Sequence, residues 1–271
     1  MTNEARGSIT SAEKVFYAVC EPFTEAWIKQ TCTDVQDLGE FYAEGKDRRE
    51  TYQEMIGAIL EDVRAGLRVC AVFYGHPGVF VYPSHEAVRI ARGEGYRAVM
   101  LPGISAEDCL YADLGVDPGA HSCLSYEATE FILGEHKLDP TCAVLLWQVD
   151  CVGDPDYHEK RYDGRHVPLL VDALLKHYSP DHTGVLYTAP ILSMARPKIH
   201  RIRLGDLTEE IEAKPGAGTL YIPPAAAPAL DLAMAARLGI PASEIERYQA
   251  AGAEAGDLQA IGDSPYGRHD A

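Results

Sequence analysis

The chain has 271 residues, enough for one large or two small domains, and its 46% hydrophobic and 24% charged content is typical of a globular protein with a substantial core. Its 41 acidic and 24 basic residues give a formal net charge of −17, which disfavours binding to nucleic-acid phosphates and to anionic membranes. No apolar run approaches the ~20 residues of a transmembrane helix, and no signal-peptide pattern opens the chain. These features predict a cytoplasmic protein with no nucleic-acid and no membrane partner.

The seven cysteines occur singly, and several lie inside apolar runs. An odd number without any C-x-x-C pair predicts free thiols in a reducing compartment rather than a disulfide framework. No cluster of His, Cys and Asp has the spacing of metal ligands, so no metal is expected.

Short apolar runs alternate with longer amphipathic stretches, a pattern that predicts an α/β fold with layered sheets. In chain order, the predicted elements are strand 14–19, helix 48–64, strand 67–74, helix 84–93, strand 96–101, helix 106–114, helix 126–133, strand 143–149, helix 167–177, strand 184–188, helix 207–213, strand 219–222 and helix 229–238.

A turn signal at Asp117-Pro118-Gly119 predicts a domain boundary. It divides the chain into an N-terminal α/β lobe, 1–118, and a C-terminal α/β lobe, 119–235. The remaining residues, 236–271, are rich in Ala, Gly and acidic side chains, which predicts an acidic flexible tail. Ligands commonly bind between lobes, so a cleft between these two is expected.

Two glycine-containing turns follow predicted strands. Strand 67–74 leads into Gly75-His76-Pro77-Gly78, and strand 96–101 leads into Pro102-Gly103-Ile104-Ser105, where Ser105 and Asp108 form a capping pair for the next helix. Ligands bind at the carboxyl ends of strands in open α/β sheets, so two such turns indicate a shared ligand cleft. Each turn alone is more typical of a plain strand–helix connection than of a ligand site. No P-loop or Rossmann glycine pattern is present.

The stretches 73–81 (FYGHPGVFV), 101–110 (LPGISAEDCL), 123–128 (CLSYEA) and 221–224 (YIPP) resemble the borosin, or omphalotin-type, peptide-backbone α-N-methyltransferases of the tetrapyrrole methylase superfamily. The resemblance extends from about Lys14 to Pro224. It implies a two-lobed tetrapyrrole-methylase-like α/β fold with S-adenosylmethionine as the cofactor in the cleft. The residues that it places around this methyl donor are Tyr74, His76, Val79, Phe80, Ser105 and Ala106 in the first lobe, and Gln148, Ala189, Gly218 and Thr219 in the second.

Residues 37–52 are dense in charges and aromatic rings, and they run into the start of the predicted helix 48–64. Arg48 and Tyr52 share a helix face, and Tyr42 lies across a turn at Gly45. A solvated helix start is the simpler interpretation of this pattern. A backbone amide nitrogen, however, is a poor nucleophile until it loses its proton, because its lone pair is delocalised into the carbonyl group. A tyrosinate could remove that proton, and a nearby arginine would lower the pKa of the tyrosine below its usual ~10.

The resemblance places Tyr42, Arg48 and Tyr52 on the catalytic positions of the family. It implies that Tyr42 is the general base, that Arg48 stabilises its phenolate, and that Tyr52 orients the amide or shares the proton. One tyrosine of the family cluster is replaced by Gly39, and the short strand and glycine-rich turn that open the family have no counterpart before the segment matching Met1–Lys14.

The acidic segment at the end of the sequence resembles the split members of the family, which methylate a separate precursor peptide in ribosomal peptide natural product biosynthesis. The expected protein is therefore a homodimer that acts on a precursor peptide in trans. Two alternatives stay open: a small-molecule or tetrapyrrole methyltransferase of the same fold, and a non-catalytic protein that binds a leader peptide.

Overall fold

The computed structural model describes residues 1–192, 194–214, 216, 218–241 and 243–246. Strands and helices alternate along the chain and form two separate sheets, so the α/β prediction is confirmed. The chain forms two compact units. The first comprises Met1–Cys109, Pro155–Lys160 and Ile191–Ala195, and the second comprises Leu110–Asp154, Arg161–Pro190 and Arg196–Ala271. The boundary near residue 118 stays a prediction.

The first unit contains a parallel three-stranded sheet in the order β2-β1-β3. Its strands are β1 (Lys14–Ala18), β2 (Val35–Asp37) and β3 (Val69–Phe73). Its helices are α1 (Asn3–Ser11), α2 (Pro22–Thr31), α3 (Arg48–Arg64) and α4 (Tyr82–Gly93), and a 3₁₀ turn spans Leu38–Phe41.

Helix α3 carries two of the three predicted catalytic residues, and its start is fixed locally. The Asp47 side chain caps the helix by accepting a hydrogen bond from the Arg49 backbone N–H. Further along, Met55 and Ile59 lie one turn apart and pack against Phe16 of β1. The capped end therefore holds the first turn of α3 at a fixed place relative to the sheet.

The second unit contains a five-stranded sheet in the order β4-β5-β8-β6-β7, in which only β4 and β5 are parallel. The strands are β4 (Cys123–Glu127), β5 (Ala143–Trp147), β6 (Thr183–Thr188), β7 (Lys198–Arg203) and β8 (Thr219–Ile222). The helices are α5 (Ala106–Leu114), which begins in the first unit, α6 (Pro118–His121), α7 (Ala128–Leu133), α8 (Val167–Leu174), α9 (Leu207–Ala213) and α10 (Leu232–Arg237).

The predicted strand at 96–101 is wrong. In the described residues this segment pairs with no strand, and the Val99 side chain is 62% exposed. Its first residue takes part in the C-terminal cap of α4, because the Tyr96 N–H bonds to the Ala91 carbonyl oxygen beyond the left-handed Gly95. An apolar run becomes a strand only where a partner strand accepts its backbone bonds.

The helix predicted at 126–133 starts later, at Ala128, because Tyr126 and Glu127 complete β4. The elements without a sequence prediction are α1, α2, α6, β2, β4 and β7. Most of the predicted tail 236–271 lies outside the described residues.

None of the helices in the described ranges is long and apolar enough to cross a membrane. Within the same ranges, no group of three or more His, Cys, Asp or Glu side chains could hold a metal ion. All seven cysteines are free thiols.

Two buried tyrosines of the second unit give a matched test of its core. The Tyr187 hydroxyl donates to Asp113 Oδ2 at 2.6 Å, whereas the Tyr178 hydroxyl is buried with no hydrogen-bond partner among the described residues. Tyr178→Phe removes an unsatisfied polar atom, so we expect an unchanged or higher free energy of unfolding. Tyr187→Phe should lower it by about 1.5–3 kcal/mol, as for other hydrogen bonds to charged groups. Urea unfolding of both variants measures this, and equal losses would contradict it.

Candidate active site

The two glycine turns meet in the first unit. A Cβ atom placed on Gly103 would lie 2.2 Å from the carbonyl oxygen of Gly75, and one placed on Gly75 would lie 3.7 Å from the Ile104 carbonyl oxygen. Gly75 also has a φ of +69°, a backbone conformation that side chains disfavour. The two turns are therefore in contact, although no strand precedes the second turn, and the shared ligand cleft expected from them stays a prediction. Their backbones approach so closely that only glycine fits at position 103.

The loop after β3, residues 75–81, is held by the first turn of α4. The buried Ser84 hydroxyl donates to the Pro77 and Val81 carbonyl oxygens. The His85 Nε2 atom donates to the Gly78 carbonyl oxygen at 2.8 Å, and His76 Nδ1 accepts from the Gly78 N–H at 2.9 Å. The loop is thus fixed by hydrogen bonds from α4 and by one bond of its own. Four of the predicted donor-site residues lie in it or next to it: Tyr74, His76, Val79 and Phe80.

Two residues of the predicted donor set have unusual backbone angles. Phe80 has a φ of +55° and Gln148 a φ of +59°, and they are two of only four described non-glycine residues with positive φ. Such conformations are costly and cluster at ligand sites. Nothing in the sequence signals them, because neither residue type favours the left-handed region.

The predicted capping pair at the start of α5 is present. The Ser105 N–H donates to Asp108 Oδ2 at 2.7 Å, and the Asp108 N–H donates to the Ser105 hydroxyl at 3.2 Å. Ala106 is the first residue of α5. Ser105 and Ala106 therefore follow the Gly103 turn directly, in the first unit.

The four predicted donor-site residues of the second unit lie at the same end of three neighbouring strands, β5, β8 and β6. Gln148 directly follows β5, Ala189 directly follows β6, and Gly218 and Thr219 lie at the start of β8, which runs antiparallel between these two strands. Thr219 is paired with both Trp147 and Tyr187 in the ladder. The sheet thus brings together residues that are far apart in sequence.

The three predicted catalytic residues lie together in the first unit. The Tyr42 and Tyr52 rings meet edge-to-face with centroids 6.5 Å apart, and their hydroxyl groups share a hydrogen bond. The sequence did not signal two further rings of this cluster. Tyr157 packs on Tyr42 at a centroid distance of 4.6 Å, and Tyr82 packs on Tyr52 at 6.2 Å.

The electrostatics of Tyr42 differ from the expectation. Burial is the main cause that raises its pKa above the usual value for tyrosine, and the hydrogen bond and charge of Tyr52 raise it further. The charge of Arg48 acts in the opposite direction but is the smallest of these effects. The expected lowering of the Tyr42 pKa is therefore wrong for this structure, because desolvation outweighs the arginine.

The chain is similar to one known family and to several fungal proteins. It matches the family described as Tetrapyrrole (Corrin/Porphyrin) Methylases over residues 1–208. The methyltransferase and ribosomally synthesized cyclic peptide dendrothelin A precursor of Dendrothele bispora is 46% identical over 228 residues, which are 83% of this chain and 55% of that protein. The corresponding omphalotin A precursor of Omphalotus olearius is 43% identical over 248 residues, 90% of this chain and 60% of that protein. The chain thus spans little more than half the length of these relatives.

Among solved structures, the cobalt-precorrin-4 methyltransferase of cobalamin biosynthesis resembles the chain with a TM-score of 0.56 and 16% identity. The match covers 82% of this chain and 88% of that structure. At this level of identity the likeness shows the fold alone. It confirms the predicted tetrapyrrole-methylase-like fold.

The contact between the two turns can be tested through stability. Gly103→Ala forces a methyl group against the Gly75 backbone, which cannot rotate away, so we expect a loss of about 1–3 kcal/mol in the free energy of unfolding. Gly93→Ala, in α4, is the control because nothing lies within 4 Å of its added Cβ atom. If both variants unfold at the same denaturant concentration, the close approach of the turns is not real.

Proposed function

Because the chain belongs to the tetrapyrrole (corrin/porphyrin) methylases, we propose that this methyltransferase uses S-adenosylmethionine to N-methylate backbone amides of a peptide. The observation that carries the proposal is the grouping of Tyr42, Arg48 and Tyr52 in the unit that also contains the Gly75–Gly103 contact. Relatives named as methyltransferase and cyclic peptide precursors support the peptide as substrate.

The residues present fit the proposed donor. Two turns without side chains at Gly75 and Gly103 let a ligand approach main-chain atoms, and Phe80, in the loop that begins at Gly75, has a strained backbone conformation. When bound, S-adenosylmethionine supplies an electrophilic methyl group on a positively charged sulfur. The residues proposed to hold it are Tyr74, His76, Val79, Phe80, Ser105, Ala106, Gln148, Ala189, Gly218 and Thr219.

We assign Tyr42 as the general base. Its phenolate would take the proton of the substrate amide while the amide nitrogen forms its bond to the methyl carbon and the sulfur–methyl bond breaks. Arg48 would stabilise that phenolate, since its charge lowers the pKa of Tyr42. Tyr52, which shares a hydrogen bond with Tyr42, would keep the phenolic oxygen oriented toward the amide.

The substrate proposed here is a separate precursor peptide of the ribosomal natural product type, methylated in trans by a cytoplasmic homodimer. Apolar side chains exposed on the first unit, such as Val99 at 62% and Ile104 at 64%, support a second copy as their cover. Titration calorimetry with S-adenosylmethionine separates this proposal from a non-catalytic peptide-binding protein. Incubation with a precursor peptide or a tetrapyrrole then separates the two kinds of methyltransferase.

The first test of the base is substitution. Tyr42→Phe should retain fold and donor affinity but reduce methylation by about a hundredfold to ten-thousandfold, the usual contribution of a general base. Arg48→Lys should also reduce it, because an ammonium group cannot present the planar fork of arginine. Methyl groups added to the peptide are counted by mass spectrometry. Tyr96→Phe, a tyrosine on the unpaired segment 96–101, is the control and should act like wild type. Tyr42→Phe activity within a few-fold of wild type would assign the base to another residue.

The second test is the pH dependence of the rate. A raised pKa leaves Tyr42 mostly protonated near neutral pH, so methylation should keep rising as the pH increases toward ~10, where free tyrosine ionises. In Arg48→Ala the rise should move to still higher pH, because a charge that lowers the pKa has been removed. A rate that is already constant from neutral pH upward would contradict Tyr42 as the base in this state.

A further inference from the structure

One segment from later in the chain lies against the start of α3. The residues Pro155–Lys160, called the strap below, belong to the first unit, whereas the residues on both sides of them belong to the second. No spacing rule in the sequence connects the strap with residues 42–48. The contacts that hold it there run through both main chain and side chains.

The main chain of the strap pairs with the turn before α3. The Gly45 N–H donates to the Tyr157 carbonyl oxygen and the Tyr157 N–H donates to the Lys46 carbonyl oxygen, both at 2.9 Å. Asp47 and Asp156 form an antiparallel bridge beside this pair. Both backbone hydrogen-bonding groups of Tyr157 are therefore used, so the position of its Cα atom is fixed from the main chain.

The side chain of Glu44 fastens the far end of the strap. Its carboxylate accepts from the Glu159 N–H at 2.8 Å and bonds to His158 Nδ1 at 2.8 Å. These hydrogen bonds, that of the Glu159 N–H first, lower the pKa of Glu44 below its ordinary value. Glu44 therefore stays charged, and the strap stays fastened, throughout the range in which a tyrosine would titrate.

The strap also contacts Tyr42, the proposed base, and Arg48, the arginine proposed to stabilise its phenolate. The Pro155 carbonyl oxygen accepts from both the Arg48 N–H at 3.0 Å and Arg48 Nε at 3.2 Å. The Tyr157 ring lies on the Tyr42 ring, with an interplanar angle of 36°. Arg48 and Tyr42 are thus each held from the same short segment.

We propose that Tyr157 is a positioning residue that holds the Tyr42 ring at its working orientation and shields one face of it from water, with the strap as its support. The proposal rests on the proposed function for its effect on catalysis. Its physical core, a dependence of Tyr42 on the Tyr157 ring, is measurable without any methylation.

The sign of that dependence follows from what surrounds Tyr42. The ionisable groups facing it are Tyr52 and Arg48 from α3, Tyr74 from the end of β3, and Tyr157 from the strap. Burial is the largest cause of the raised pKa of Tyr42. Removing the Tyr157 ring admits water to the phenol and should lower that pKa, whereas removing the Arg48 charge should raise it. The two substitutions therefore move one titration in opposite directions.

The test uses the full chain with a fluorinated tyrosine incorporated at position 42, whose more acidic phenol titrates at a lower pH than tyrosine itself. Fluorine NMR follows its ionisation in wild type, Tyr157→Ala, Tyr157→Phe and Arg48→Ala. We expect a shift to lower pH in Tyr157→Ala, a shift to higher pH in Arg48→Ala, and the wild-type titration in Tyr157→Phe, which keeps the ring. An unchanged titration in Tyr157→Ala would overturn the proposal, whatever the activity of the protein.

The kinetic part is measured on the unlabelled variants with a precursor peptide. Tyr157→Ala should lower kcat by up to about a hundredfold, the scale of a misplaced reacting group, while KM and donor affinity stay within a few-fold. Glu44→Ala loosens the strap without touching Tyr42 and should shift kcat in the same direction by less. A loss confined to KM would overturn the positioning role. Should Tyr42→Phe retain activity while the fluorine titration still shifts in Tyr157→Ala, the function assigned to Tyr42 fails and its contact with Tyr157 stands.

Discussion

The contact between the Gly75 and Gly103 backbones constrains the part of the first unit that is proposed to bind the methyl donor. No side chain fits at Gly103, because its Cβ atom would lie 2.2 Å from the Gly75 carbonyl oxygen. The loop after β3 starts at this contact, and Ser84 and His85 of α4 bond to its carbonyl oxygens. The strained φ of Phe80 is then the result of a loop held at both ends.

The pKa of Tyr42, the proposed base, depends on a balance between the loss of water and the charges around it. The sequence placed Tyr42 across the Gly45 turn from Arg48, and an arginine near the tyrosine suggested a phenol that ionises easily. The structure shows that Tyr42 is also covered by Tyr52 and Tyr157, and the loss of water outweighs the arginine. Whether the pKa of a tyrosine near an arginine falls below its usual value thus depends also on rings contributed by distant parts of the chain.

The sequence predicted well what depends on local chemistry. Helix α3 has the predicted bounds because a capping Asp47 and an apolar stripe mark it, and Ser105 and Asp108 form the predicted cap of α5. Prediction from the sequence failed where the structure of a segment depends on pairing with another segment of the chain. The run 96–101 is apolar enough for a strand but has no partner strand among the described residues, and β7, which is mostly polar, becomes a strand because β6 pairs with it. Tyr157 could not be predicted for the same reason, since its place comes from main-chain bonds to Gly45 and Lys46.

A raised pKa suits the chemistry proposed for Tyr42 better than a lowered one would. A backbone amide is a very weak acid, so the base that takes its proton must itself be strong, and the strength of a phenolate rises with the pKa of its phenol. Burial under the rings of Tyr52 and Tyr157 therefore produces a stronger base that is present in a smaller fraction of molecules. Arg48 moderates this trade-off, because its charge restores part of the ionised population without exposing the phenol to water. The cover and the arginine act on the same pKa in opposite directions, and every gain in the ionised fraction of Tyr42 comes with a loss in the strength of its phenolate. In the proposed reaction, the strap and the first turn of α3 would therefore have opposing effects on the base.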